Sequence, residues 1–309
     1  MPPMNYLDRK LTSWMVEDFQ RDPILAGRVI LGLEFPPHQE VRIMGMWSSA
    51  FMVDSSGYST GKTFCMAVCA ALRGAIFEDR TAGILSKTFA QGKLVFDYFD
   101  RWNITCPLFK CQLGLNKQNK SSLTHGNDAH IATFRNGNTI RVLPPDLMKD
   151  AERIKSERWN DAYFDEWASW GNIQAMIKTC LGRVTRPVCE NYDADNPMTL
   201  NHVFWGSTAG YKWDPAYKLV QDFAEQVDKG DKDYAVQTWN FEDIPERFAR
   251  FVDSRNIELM LRQLPRDVAL MEIYGKWVED SLGWYSAKAL HDARDARCSV
   301  LLSRKKVAA

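Results

Sequence analysis

Apolar residues along this chain fall in short blocks whose period changes from block to block. Leu7, Leu11, Trp14, Met15 and Phe19 recur near helical spacing until Pro23 interrupts, so residues 7 to 31 are predicted as one or two helices. "AFMVDSS" is an apolar run of strand length, whereas "TFCMAVCAALRGAIF", just after Lys62, is apolar, alanine-rich and of helical length. The alternation repeats: "TAGILSK" reads as a strand, "FAQGKLVFDYFDRWN" as a helix, and "HIATFRNGNTIRVLP" as a hairpin turned at Asn136-Gly137. "DAYFDEW" and "NHVFWGST" follow as two further strands.

Strands that alternate with helices imply an α/β fold with a mainly parallel central sheet, flanked by helices on both faces. Two polar segments, 112 to 130 and 189 to 199, read as surface loops, and from residue 245 onward the pattern is mostly helical. No internal repeat or low-complexity stretch interrupts this order.

Composition narrows the class. The chain has 309 residues, 45% of them hydrophobic and 25% charged, enough for a large domain with a buried core. Its 39 basic and 39 acidic residues cancel, so it is no bulk polycation, and any nucleic-acid contact has to come from a local basic patch. No apolar run approaches the roughly 20 residues that span a bilayer, and the start lacks a signal-peptide core. A soluble intracellular protein with no membrane partner is expected. The seven cysteines have no CxxC spacing, which argues against zinc and disulfides.

The stretch "SSGYSTGKTF" carries the first candidate chemistry. A phosphate-cradling loop reads Gly, four residues, then Gly-Lys-Ser/Thr, but here Ser56 stands where the first glycine belongs. The strand before it and the helix after it are the required setting. Backbone N–H groups from Ser59 to Thr63, through Thr60 and Gly61, would then form a nest for phosphate at a helix N-terminus. Lys62 would reach the β- and γ-phosphates, and the Thr63 hydroxyl would ligate Mg²⁺.

Hydrolysis of a nucleoside triphosphate also requires a carboxylate on the metal and a group that activates water. "AYFDE" runs apolar residues into Asp165-Glu166 at the expected C-terminal end of a strand, where ligands meet a parallel sheet. Asp165 is the candidate metal ligand and Glu166 the candidate for polarising water. In "FWGSTAG", Ser207 and Thr208 could sense loss of the γ-phosphate and relay it. In "LEFPPHQE", Gln39 offers a donor and an acceptor for the N6/N7 edge of adenine, with Pro36-Pro37 stiffening its presentation. The five histidines show no metal or triad spacing, and the tryptophans at 159, 167 and 170 are expected to pack in the core.

This ordered set resembles the ATPase domain of the large terminase subunit, the DNA-packaging motor of tailed bacteriophages. "FPPHQE" is similar to the family's adenine segment, "SSGYSTGKT" to its deviant Walker A loop with Ser56, Gly57, Tyr58 and Ser59 in the nucleotide-binding stretch, and "SERWNDAYFDEW" to the segment carrying Walker B. "FWGSTAG" resembles the coupling motif, and "MEIYGKWVEDSLGWYS" the end of the lid. The resemblance implies a P-loop NTPase of the additional-strand, RecA-like type: an N-terminal helical segment (1–32), an ATPase core (33–211), a lid (212–285) and a tail (286–309) too short for the family's nuclease domain.

It also implies an ATPase without DNA-cutting activity that couples Mg-ATP hydrolysis to translocation of double-stranded viral DNA in the host cytoplasm. The implied partners are a portal protein, a small terminase subunit and copies of itself in a ring, the isolated domain being monomeric. Where many relatives keep an arginine in the loop, this chain has Tyr58 or Ser59, so Arg158 becomes the first candidate for an arginine finger and Arg153 the second. Two other readings fit the loop: a helicase-like motor, which needs a second RecA-like lobe for which the chain has no room, and a nucleotide-binding scaffold that does not hydrolyse.

Overall fold

The computed structural model describes residues 6–115, 122–143, 154, 157–170, 181, 184, 200–251 and 253–279. The predicted N-terminal helices are α1 (Tyr6–Arg21) and α2 (Pro23–Ile30), separated where Pro23 takes the first position of α2 and the Asp22 carboxylate accepts from the N–H groups of Ile24 and Leu25. They are not detached from the rest, since Ala26 and Ile30 belong to the main core. A third helix, α3 (Pro37–Ser48), begins at the Pro-Pro pair that the sequence reading treated only as a stiffener. There follow β1 (Phe51–Ser55), α4 (Lys62–Ile76), β2 (Thr81–Ser86), α5 (Phe89–Thr105) and α6 (Pro107–Gln112).

The expected hairpin is β4 (His130–Thr133) and β5 (Thr139–Leu143), its turn held by Gly137 at φ 87°. Part of the polar stretch expected as a loop is instead a short edge strand, β3 (Leu123–His125), antiparallel to β4. Then come β6 (Asp161–Asp165), β7 (His202–Ser207), a helix over Pro215–Asp228, β8 (Tyr234–Gln237), and helices over Ser254–Gln263 and Arg266–Glu272.

The eight strands of the described residues join one sheet in the order β3-β4-β5-β2-β6-β7-β1-β8, parallel from β5 to β8. The strand carrying the glycine-lysine loop and the strand carrying Asp165 are therefore separated by β7. This inserted strand defines the additional-strand, RecA-like arrangement. β8 extends the same sheet beyond β1, so the stretch expected as a lid also supplies a sheet strand.

One face of the sheet is covered by α1 to α6, with α4 buried along most of its length against Trp47, Phe96, Phe134 and Tyr163. The other face is aromatic: Phe164 stacks on Trp205 at 4.0 Å and Trp167 meets Trp205 edge-on at 5.8 Å. Trp159, Trp167 and Trp170 are all buried there, so packing accounts for them. At the N-terminal end of β6, buried Asp161 pairs with Arg73 at 3.2 Å and Arg80 at 3.0 Å. His202 beside them donates from Nδ1 to the Ser49 carbonyl at 2.7 Å. Burial, with Arg73 adding to it, pushes the His202 pKa down to about 3, so its ring is neutral at ordinary pH.

Candidate functional site

Three strand ends meet in one row. Ser55 of β1 is level with Ser207 of β7, and Gly206 is level with Asp165 of β6. Beyond β1 the chain turns through Ser59 at φ 61° and Gly61 at φ 83° before entering α4 at Lys62. Gly61 is the cap of α4 but has no side chain to occupy the first N–H groups, so the helix begins with free amides facing the turn.

The Thr63 hydroxyl lies 3.1 and 3.2 Å from the two carboxylate oxygens of Asp165, a contact between residues 102 positions apart. Burial raises the Asp165 pKa to about 7, and the neighbouring Glu166 adds to the effect. Glu166 itself has left-handed backbone, φ 52°, and turns its carboxylate toward β7. There its Oε2 accepts from the Ser207 hydroxyl at 3.3 Å and the Thr208 N–H at 3.5 Å. Lys62 is buried and donates to the carbonyls of Ser56 and Gly57 at 2.7 and 3.1 Å. Burial lowers its pKa, while the Glu166 and Asp54 carboxylates oppose the shift.

Ser56 explains the missing glycine. Its hydroxyl donates to Asp54 and accepts from Arg42 at 3.1 Å and from the Trp239 N–H at 2.9 Å, which uses its one donor and both lone pairs. Arg42, fully buried, pairs with Asp54 and donates to the Thr60 carbonyl at 2.5 Å. Sequence reasoning missed both charges. The available signals were an aspartate inside the apolar run "AFMVDSS" and an arginine one turn after Gln39 on α3.

Gly57 is needed for a different reason. A Cβ there would lie 1.9 Å from the Ile273 carbonyl oxygen. The loop is laced to the later chain by three backbone bonds or contacts of this kind: Gly57 N–H to the Trp239 carbonyl at 2.8 Å, Tyr58 N–H to the Glu272 carbonyl at 2.7 Å, and Gly275 packed against Ser55 and Gly57. Thr60 is buried, its hydroxyl donating to the Gly57 carbonyl at 2.9 Å. Tyr58 is half exposed, and burial together with Glu272 raises its phenol pKa.

A cleft of about 440 Å³ opens over this loop, within the size range of small-molecule sites. Tyr58, Ser59, Gly61, Lys62, Thr63 and Glu166 line one side, and α5 supplies the other wall. Gln39 is absent from the lining: it is buried beneath the turn, where a Cβ on Gly61 would come within 2.6 Å of its amide nitrogen. Arg158 lies before the N-terminal end of β6, the end of the sheet opposite the cleft, with one guanidinium nitrogen donating to the Glu157 carbonyl at 2.8 Å. Arg153 falls outside the described residues.

No family model matches the sequence, and no curated protein matches it. Solved structures do. The large terminase of bacteriophage HK97 matches with a TM-score of 0.59 and 11% identity over 84% of this chain and 55% of its own. The large terminase of a thermophilic bacteriophage matches with a TM-score of 0.56 and 14% identity, over 80% of this chain and 54% of its own. The fold is that of phage large-terminase ATPase domains. The ATPase domain of the Thermus phage P74-26 large terminase, at a TM-score of 0.52 and 14% identity, is covered over 97% of its length and covers 81% of this chain. The chain thus spans about half of the two longer terminases and nearly all of the isolated terminase domain. The second of these terminases, from the thermophilic bacteriophage, is also known in complex with ATP-γ-S and with ADP.

Proposed function

We propose that this chain is the ATP-hydrolysing motor domain of a viral DNA-packaging terminase. The observation that carries the reading is the contact of Thr63 with Asp165, which joins the start of α4 to the end of β6 and places Glu166 at the mouth of the same cleft. A hydroxyl and a carboxylate side by side are hard oxygen donors, and among the described residues no His/Cys/Asp/Glu cluster offers a softer metal a site. The pair fits Mg²⁺ held together with a nucleotide. Such an ion, held by Thr63 and Asp165, would supply positive charge to offset that of the phosphates.

The chain's own groups account for the remainder. The amides around Gly61 and the Lys62 ammonium cradle the phosphates. Glu166 orients a water and takes its proton as the water oxygen bonds to the γ-phosphorus. The bond to the bridging oxygen breaks, and ADP leaves with that electron pair. Ser207 and Thr208 are hydrogen-bonded to Glu166, so a change in its position is passed directly to β7. Gln39, beneath Gly61, supports the turn that faces the nucleotide instead of lining the cleft, and Arg158, at the opposite end of β6, acts in a neighbouring copy's cleft.

In this reading the work is translocation of double-stranded DNA by a ring of copies docked on a portal, with a small terminase subunit at initiation. No described helix is long and apolar enough to cross a membrane. The test is Glu166→Gln measured with Mg-ATP and double-stranded DNA at high protein concentration. Turnover is expected to drop by about 10²–10⁴ while ATP-γ-S binding persists. Absence of turnover in the unmodified chain under those conditions would refute the motor reading.

A further inference from the structure

The wall of the cleft opposite the loop is made by one face of α5. Leu94, Asp97, Tyr98 and Arg101 line it at intervals of three and four residues, the spacing of a single helical stripe. That stripe is held in place beside the phosphate turn. The Tyr98 ring meets Phe64 edge-on at 5.3 Å, and Phe64 directly follows Thr63.

Among the described residues that line the cleft, two are cationic, Lys62 and Arg101. Lys62 is buried and held by the Ser56 and Gly57 carbonyls, whereas Arg101 is solvent-exposed on the facing wall. Glu166 and Asp97 add negative charge to the same cleft, so a triphosphate there carries more charge than one lysine and one divalent ion offset. Arg158 cannot supply the difference within its own chain. Its carbonyl accepts from the Thr81 hydroxyl at the start of β2, and the four strand rises from Asp161 to Asp165 alone put about 13 Å between that end of the sheet and the cleft. A planar guanidinium is also the side chain best matched to a phosphate edge.

We propose that Arg101, delivered by α5 of the same chain, contacts the terminal phosphate of a nucleoside triphosphate in this cleft and so distinguishes it from a diphosphate. The inference rests on the nucleotide-binding reading above. It adds a catalytic residue that acts in cis, where the loop itself carries Tyr58 and Ser59 instead of an arginine.

The test compares ATP-γ-S and ADP affinities, with Mg²⁺, for the unmodified chain, Arg101→Ala and Arg101→Lys, at concentrations low enough to keep each protein monomeric. Arg101→Ala is expected to weaken ATP-γ-S binding by about tenfold or more and ADP binding by less than about twofold, with Arg101→Lys in between. An unchanged ATP-γ-S to ADP ratio overturns the proposal and leaves the nucleotide reading standing, as does an equal loss of both ligands. Failure of the unmodified chain to bind either nucleotide removes the reading and the proposal with it. Because Arg101 is exposed, an unchanged thermal melt is expected for both variants and verifies that folding is intact.

Discussion

Replacing Ser56 by glycine would give this chain the complete Gly-x-x-x-x-Gly-Lys-Thr pattern, and we expect the repaired motif to make a worse protein. The Ser56 hydroxyl bonds Asp54, Arg42 and the Trp239 N–H inside a region that water does not reach. Two of those three partners are ionised, and bonds to charged groups contribute about 1.5–3 kcal/mol each when lost from a buried site. Arg42 and Asp54 keep each other and Arg42 keeps the Thr60 carbonyl, so part of the loss is recovered. About 2 kcal/mol is then expected for Ser56→Ala, and about 3 kcal/mol for Ser56→Gly, which adds backbone entropy in the unfolded chain. For a chain of 309 residues, that corresponds to a fall in Tm of about 3–5 °C. Thermal and urea unfolding of the three proteins at pH 7 would measure it. If Ser56→Ala proves neutral, or Ser56→Gly melts at or above the unmodified chain, the network does not hold the loop as described.

Two further outcomes are expected. Gly57→Ala should cost more than either Ser56 change, because its Cβ meets a backbone carbonyl at 1.9 Å and neither the loop nor residues 272–275 can yield alone; limited proteolysis of the variant should open the chain between residues 239 and 279. His202, with its folded pKa depressed to about 3 against an ordinary 6.5, stays neutral in the fold while the unfolded chain takes up a proton, so stability is full above pH 6.5 and falls as pH drops toward 3. The slope is about 1.4 kcal/mol per pH unit within that window, and His202→Gln should flatten urea midpoints measured between pH 7 and 5.

What the sequence reveals here is set by how local each signal is. The strand, turn and helix around Lys62 were legible because period and composition change within a few residues, and Asp165-Glu166 because acids follow an apolar run. Arg42, Asp54 and Trp239 were not. They meet at Ser56 from α3, β1 and the residues after β8, and nothing in any one of those segments names the other two. β3 was hidden for another reason: three residues in a polar stretch give no period, and only β4 makes them a strand. β8, four half-buried residues, likewise becomes visible only beside β1. Gln39 was legible as a candidate, but its place beneath Gly61 depended on α3 beginning at Pro37.

The left-handed backbone of Glu166 sets two demands on one position against each other. At φ 52°, a residue with a Cβ carries about 1–2 kcal/mol of strain that glycine would escape. Selection for folding alone would therefore place glycine between β6 and Trp167. The chain keeps a carboxylate there, its oxygen in reach of Ser207 and Thr208. Any redesign that ranks positions by backbone comfort would begin by deleting the residue on which the proposed chemistry depends.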